Sequence, residues 1–138
     1  MRAFSLVVML ILSGSCFAQA ELKVEVILNQ PDAGGKLQLA LCPSAETYKS
    51  EKGCVMKSVE ADARTVSCTF TGVSPGTYAV SVFHDVNGNG ELDKSWVGWP
   101  KEPWGFSNDA PVNTGIPPFK LAAFEVKEGK QTERIRLQ

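Results

Sequence analysis

The stretch Thr77-Tyr78-Ala79-Val80-Ser81-Val82-Phe83-His84 carries the strongest strand signal in this 138-residue chain. Tyr78, Val80 and Val82 fall on one side of an extended backbone, and the intervening residues fall on the other. A period of two in β-branched and aromatic residues is typical of a strand with one face in a core. The pattern therefore predicts a central β-strand over residues 77–84.

Six other segments show a similar alternation, and turn clusters rich in Gly, Pro, Asn and Asp separate them. Only one short helical turn is indicated, ending near Ser50 with Ser44 as a candidate cap. About seven short strands at this spacing predict an all-β domain, in which two antiparallel sheets form an immunoglobulin-like or prealbumin-like β-sandwich. The other predicted strands span residues 22–28, 36–42, 54–60, 64–70, 119–126 and 130–137.

The N-terminal twenty residues are typical of a secretory signal peptide. Arg2 precedes an apolar run over 4–12, and Ala18-Gln19-Ala20 offers small residues at the cleavage positions. We expect cleavage after Ala20, which leaves residues 21–138 as one β-sandwich domain, periplasmic or secreted, with no membrane span. Lipid attachment at Cys16 is the alternative, but the residues before it lack the expected aliphatic side chain.

The charge balance argues against a nucleic-acid partner. The chain carries 14 Lys and Arg against 15 Asp and Glu, a formal net charge of −1. Removing the predicted signal peptide removes only Arg2 and changes this charge to −2. Nucleic acids favour clustered positive charge, which this composition does not provide.

Three cysteines remain after the predicted cleavage, and an exported protein can hold a disulfide. Cys42 ends a predicted strand with its side chain outward, and Cys54 follows a polar segment. We favour a Cys42–Cys54 bond, with Cys68 as a core-facing thiol, although other pairings remain open. Zinc is disfavoured because the chain has one histidine and no Cys-x-x-Cys pair.

The segment directly after the central strand has the pattern of a cation-binding loop. Asp85, Asn87 and Asn89 alternate, and Asp93 follows at position nine of the loop. Alternating side-chain oxygens converge on one centre, Gly90 permits a sharp turn, and the Glu91 carbonyl adds a backbone ligand. Calcium is the predicted ion, because it accepts six to eight oxygen ligands in flexible geometry, whereas magnesium requires a stricter octahedron.

The loop is not an EF-hand, because Trp96 occupies position twelve and a strand enters it. It is similar to calcium loops of extracellular β-domains, for which affinities of about 10⁻⁴–10⁻³ M are expected. A distant carboxylate, such as Glu102 or Asp109, is a candidate for completing the shell. The competing interpretation is a plain Asn-Gly turn, which explains the Asn and Gly residues but not the flanking aspartates.

Residues 85–118 contain no convincing strand, yet they hold all three tryptophans. Because disordered segments are poor in aromatics, we expect one long ordered loop. Its aromatic residues have two possible roles: a platform for a carbohydrate or peptide, or the loop's own hydrophobic core. The candidate ligand-binding residues are Trp96, Trp99, Trp104 and Phe106.

Catalytic motifs are not recognisable in the sequence, so we expect a non-enzymatic binding or accessory module. The alternative is a carbohydrate-active or other hydrolytic envelope protein, whose carboxylates would come from the metal loop or its surroundings. A structural subunit of an envelope complex is a third possibility. His84 is expected to be structural and to hydrogen-bond a loop carbonyl at the core edge.

The combination of two motifs resembles a family of exported bacterial proteins known as domain of unknown function 2141. The first is His84-Asp85-x-Asn87-x-Asn89-Gly90-x-Leu92-Asp93, and the second is Gly105-Phe106-Ser107-Asn108. The resemblance implies a Gram-negative periplasmic or secreted β-sandwich and brings no established activity. Trp99 and Trp104 stand where the family usually has an aliphatic residue and a tyrosine.

Overall fold

The computed structural model describes residues 18–138, so most of the predicted signal peptide, including Cys16, lies outside the described residues. This part of the chain forms eight strands, two short helices and one 3₁₀ turn. Within it, no helix is long and apolar enough to cross a bilayer. The elements are β1 (Ala20–Ile27), β2 (Lys36–Cys42), α1 (Ala45–Ser50), β3 (Val55–Glu60), β4 (Thr65–Val73), β5 (Gly76–Asp85), β6 (Trp104–Phe106), the 3₁₀ turn (Ser107–Asp109), α2 (Phe119–Ala122), β7 (Phe124–Val126) and β8 (Gly129–Arg136).

The strands form two sheets, which confirms the all-β class. One sheet has the order β4-β1-β8, and the other has the order β3-β2-β5-β6, with β7 also paired to β5. β1 and β8 run parallel, with Val24 opposite Glu133, so the prediction of purely antiparallel sheets is wrong for this pair. Parallel neighbours need a long connection. Here they are the first and last strands of the described chain, and everything between them serves as that connection.

Both sheets contribute alternate residues to one apolar cluster, which we call the main core. Leu37, Leu39 and Leu41 of β2 and Val80 and Val82 of β5 are all buried in it, as the alternation predicts. Full burial of one such side chain contributes about 1.5–3 kcal/mol. The main core therefore fixes the register of β5. It thereby also fixes the start of the predicted cation-binding loop, residues 85–93, which we call the Asx-rich loop.

The other face of the larger sheet is also buried, in a second core that the sequence did not predict. Cys42 does turn away from the main core, but it is only 1% exposed because helices and β6 cover it. Small residues on this face leave room for aromatic rings that meet edge to face, such as Tyr48 and Phe106, whose centroids are 6.1 Å apart. The buried members are Ala40, Cys42, Tyr48, Ala79, Trp104, Phe106, Ala110 and Ala122.

The prediction of one strandless loop over residues 85–118 is wrong, because Trp104–Phe106 forms β6. Trp104 pairs antiparallel with Phe83, and Phe106 pairs with Ser81, along the edge of β5. Gly105 lies where β6 passes β8: a Cβ there would be 2.9 Å from the Arg136 carbonyl oxygen. A three-residue strand with a central glycine has little local signal, so tertiary pairing rather than propensity determines it.

The segment predicted as one strand over 119–126 divides into a helix and a strand. Phe119–Ala122 forms α2, and β7 is limited to Phe124–Val126. Short apolar runs do not distinguish helix from strand by periodicity alone. In this segment a helical turn buries Ala122 completely in the second core, which favours the helix.

The second family motif has a structural role in joining distant elements. Buried Ser107 accepts a hydrogen bond from the Val80 N–H (2.9 Å) and donates one to the Ala122 carbonyl (2.5 Å). Asn108, with a positive φ of 61°, donates its side-chain amide to the Ala123 carbonyl at 2.7 Å. The motif thus ties β5 to the end of α2.

Cys42 and Cys54 form a disulfide, and Cys68 is a buried free thiol, as predicted. The bond joins the end of β2 to the residue before β3, across α1. Burial raises the pKa of the Cys68 thiol, which keeps it protonated and unreactive at neutral pH.

Removing this disulfide is expected to destabilise the protein. A cross-link between residues 12 apart restricts the unfolded chain, so replacing both Cys42 and Cys54 with Ser should lower the free energy of unfolding by about 3 kcal/mol. Urea denaturation of the oxidised and reduced wild type and of the double variant measures this. A Cys68→Ala control should keep the full difference between oxidised and reduced protein; equal stability of the two wild-type forms would contradict the prediction.

Candidate functional site

The Asx-rich loop begins at Asp85, the last residue of β5, whose side chain is fully buried. Its carboxylate accepts hydrogen bonds from the backbone N–H groups of Asn89 (3.1 Å) and Gly90 (2.8 Å) and from the side chain of Gln38 (3.1 Å). Gly90 has φ +79°, as the predicted sharp turn requires. Asp85 therefore lies at the centre around which the loop curls.

Asp93 closes the loop and brings the two asparagines together. The side-chain amides of Asn87 and Asn89 both donate to its carboxylate, the latter at 2.8 Å. The amide oxygen of Asn89 accepts a hydrogen bond from the Glu91 N–H at 3.0 Å, so the Glu91 backbone is part of the same folded loop. All five residues that the sequence proposed as ligands thus lie in one folded loop.

A short projection, residues 94–101, follows the loop and returns the chain to it. Lys94 forms an isolated antiparallel β-bridge with Pro100. The Ser95 N–H donates to the Trp99 carbonyl at 2.7 Å, and the Lys101 N–H donates to the Asp93 carbonyl at 2.7 Å. The last of these bonds places the next residue, Glu102, beside the Asp93 side chain.

Glu102 is the most unusual charged residue in the described chain. It is 8% exposed, and neither carboxylate oxygen has a hydrogen-bond partner among the described residues. Burial, followed by the Asp93 and Asp85 carboxylates, raises its pKa from the ordinary 4.5 to about 7, against a weaker opposing effect of the Val86 N–H. The pKa of Asp93 is lowered, and the neighbouring Glu102 carboxyl group is the largest cause. Two carboxyl groups therefore face each other and need a proton or a cation between them.

The donor set fits a hard cation that uses mixed oxygen ligands. In residues 18–138, no three His, Cys, Asp or Glu side chains form a ready-made metal cluster. The carboxylates of Asp85, Asp93 and Glu102 therefore do not form such a cluster by themselves, and a cation would also need the two asparagine amide oxygens and the Glu91 carbonyl oxygen. A mixture of carboxylate, amide and carbonyl oxygens suits calcium, which accepts a flexible coordination geometry. Binding would require the asparagine oxygens, rather than their N–H groups, to face the ion.

His84 has a structural role, which confirms the prediction made for it. Its ring is fully buried, Nε2 donates to the Gly34 carbonyl at 2.6 Å, and its backbone N–H donates to the Pro103 carbonyl at 2.8 Å. It therefore holds the turn before β2 and the chain after Glu102 against the start of the loop.

The four aromatic residues proposed for ligand binding fall into two pairs. Trp96 and Trp99 lie on the projection and are 97% and 51% exposed. Trp104 and Phe106 are buried in the second core with ring centroids 5.3 Å apart. The packing interpretation is therefore confirmed for the buried pair, and the ligand-binding interpretation stays a prediction.

A pocket of about 390 Å³ lies beside the loop. Trp99 and Trp104 line it, together with Glu102 and the side chains of Asn29 and Asn113. Glu102 also belongs to the acidic cluster, by which we mean Asp85, Asp93 and Glu102, so the pocket and this cluster share one residue. Asp109, the other distant carboxylate considered from the sequence, instead accepts a hydrogen bond from the Arg136 N–H at 2.9 Å.

Glu102 should make the metal-free protein more stable at lower pH. The folded protein binds the Glu102 proton near pH 7, whereas the unfolded chain binds it only near pH 4.5. The Glu102 contribution to stability is therefore fully present below about pH 4.5 and is lost as the pH rises through 7. The lowered pKa of Asp93 also contributes stability. This contribution is lost only as the pH falls below the ordinary pKa of 3.8, outside the interval in which the Glu102 contribution changes.

Urea denaturation in EDTA at several pH values between 4.5 and 7.5 measures this contribution. The wild type should lose stability as the pH rises, and Glu102→Gln should have a flatter profile across the same interval. A variant with the same slope as the wild type would show that Glu102 does not hold a proton in this way.

The fold and the site together define a small all-β protein with an Asx-rich loop, anchored by the buried Asp85, at the end of its central strand. The chain belongs to the family described as "Uncharacterized protein conserved in bacteria (DUF2141)", whose profile matches residues 24–134. This confirms the resemblance found in the sequence. Comparison with curated proteins and with solved structures finds no significant match.

Proposed function

We propose that this protein is an exported, calcium-stabilised module of β-sandwich architecture, close to the immunoglobulin-like or prealbumin-like type, that serves binding or accessory functions without catalysis. The observation that carries the proposal is Glu102, a buried carboxylate without a hydrogen-bond partner that faces Asp93 beside a loop built around Asp85. A bound calcium ion would neutralise the three carboxylates and replace the proton that Glu102 otherwise needs.

The calcium ion would have a structural purpose in this proposal. It would join the end of β5 to the segment that follows the projection, because Asp85 belongs to the first and Glu102 to the second. An ion that binds only the folded state stabilises that state in proportion to its concentration and affinity. The projection would then stand on a rigid base.

Export is supported by two independent features. The sequence has the pattern of a signal peptide, and the folded domain has a disulfide between Cys42 and Cys54. Disulfides persist in the periplasm and outside the cell and are rare in the cytosol. Calcium at the millimolar level required by a weak site is also an extracellular condition.

Isothermal titration of the metal-free protein with calcium chloride tests the proposal. The expected result is one ion per chain, with loss of binding in Asp93→Asn. Asp109→Asn is a matched control, because it removes the same charge from a residue that accepts a backbone hydrogen bond away from the loop. Absence of binding to the wild type, or equal losses in the two variants, would contradict the proposal.

Hydrolysis remains the second candidate, since a buried carboxyl group with a pKa near 7 suits a general acid. Glycoside hydrolysis needs a second carboxylate about 5–9.5 Å away. Asp93 directly faces Glu102, and Glu102 is the only acidic residue that lines the pocket among the described residues. This geometry favours binding. Turnover of a glycoside that is lost in Glu102→Gln would favour the enzyme instead.

A further inference from the structure

We propose that the pocket beside the calcium loop binds a neutral pyranose sugar. The inference rests on the proposed function, because the calcium ion would hold one wall of the pocket in place. The wall in question is the segment that runs from the projection through Glu102 to Trp104, the start of β6.

The shape of the pocket suits a small ligand. Its volume, about 390 Å³, lies within the range of roughly 300–1,000 Å³ found for small-molecule sites. Its lining comes from four segments of the chain: residues 29–30, 99–104, 112–113 and 138. This size favours a mono- or disaccharide over an extended peptide.

The chemistry of the lining suits a ligand with one apolar face and many hydroxyl groups. Trp99 and Trp104 supply aromatic surface, and the Trp99 side chain is half-exposed. Asn29, Gln30 and Asn113 supply amides that both donate and accept hydrogen bonds. Amide side chains and aromatic rings recognise the hydroxyl groups and the C–H face of a pyranose. The charged residues of the lining are Lys101 and Glu102, so the lining carries no net positive charge that would favour an anionic sugar.

The cation site and the pocket are physically connected. Glu102 faces Asp93 across the acidic cluster and also lines the pocket. The Lys101 N–H bonds to the Asp93 carbonyl at 2.7 Å, one residue before Glu102. An ion held by the loop would therefore fix the position of Trp99 relative to Trp104 before the sugar arrives, which reduces the ordering cost of binding.

Titration calorimetry with glucose, N-acetylglucosamine, maltose and cellobiose, in the presence of excess calcium, tests this inference. Trp99→Ala should weaken the binding of the preferred sugar about tenfold or more, and Asn29→Ala should also weaken it. Trp96→Ala is the matched control: the same residue type lies on the same projection, is 97% exposed and does not line the pocket. This control should keep the wild-type affinity within about twofold. Chelation of calcium by EDTA should weaken the binding to the wild type.

Several outcomes would overturn the inference: no saturable binding of any of the four sugars, equal losses in Trp96→Ala and Trp99→Ala, or sugar binding that EDTA does not change. Saturable binding of a proline-rich peptide in place of any sugar would also overturn it.

The melting temperature of each variant with and without calcium keeps the two proposals separate. If Trp99→Ala and the wild type keep the calcium-dependent rise while no sugar binds, only the sugar inference fails; if the wild type shows no rise, the calcium proposal itself fails.

Discussion

Adding calcium to about 10 mM should raise the melting temperature of the metal-free protein by roughly 5–10 °C. A dissociation constant of about 10⁻⁴–10⁻³ M gives a stabilisation of about 1.4–2.7 kcal/mol at that concentration. The effect depends on the two loop aspartates and on Glu102, whose unpartnered oxygens supply charge that has no other use in the fold. Differential scanning calorimetry with and without EDTA measures the rise.

Variants at the loop separate calcium binding from the general effect of salt. Asp85→Asn removes a ligand charge but keeps an oxygen that can accept from the Asn89 N–H, so the loop should still form while most of the calcium-dependent rise is lost. Magnesium at the same concentration should give a smaller rise, because the flexible loop does not provide an octahedral cage. An equal rise in the wild type and in Asp85→Asn would show that the ion acts elsewhere.

Gly35→Ala should lower the free energy of unfolding by about 3 kcal/mol or more. Gly35 has φ +72°, which costs a non-glycine residue about 1–2 kcal/mol. An added Cβ would also lie 2.7 Å from the Cα of Val86, so the backbone at the start of the loop would have to move, at a further cost of about 1–3 kcal/mol. Urea denaturation measures the loss, and the displacement should also weaken calcium binding.

Gly34→Ala is the control for this prediction. Gly34 has nearly the same φ, +71°, but an added Cβ would have no atom within 4 Å. It should therefore lose only the backbone contribution, and the difference between the two variants reports the contact between Gly35 and Val86. Equal losses would mean that the close approach does not constrain the loop.

The alternation of apolar and polar residues predicts the strands that have one face in the main core. β2 spans Lys36–Cys42 as the sequence indicates, because its leucines alternate strictly and all three are buried. β6 is different: Trp104–Phe106 has a glycine at its centre and is a strand only because β5 offers an unpaired edge. The second core is hidden for a similar reason, since it depends on two short helices that fold back on the larger sheet.

The spacing of side-chain oxygens predicts which residues gather in the loop, because that loop is local in sequence. The same spacing does not distinguish Glu102 from Asp109 as the candidate ligand from outside the loop. The choice depends on the hydrogen bond that returns Lys101 to Asp93 and on the bond that ties Asp109 to Arg136. The burial of Glu102 likewise depends on tertiary structure, and the neighbouring residues in the sequence do not predict it.

A crystal structure of the protein grown with calcium tests the central claim most directly. The account predicts one ion, with oxygens of Asp85, Asn87, Asn89, Asp93 and Glu102 and the Glu91 carbonyl at about 2.3–2.6 Å from it. An empty loop in calcium-saturated crystals, or an ion that Glu102 does not contact, would contradict the account.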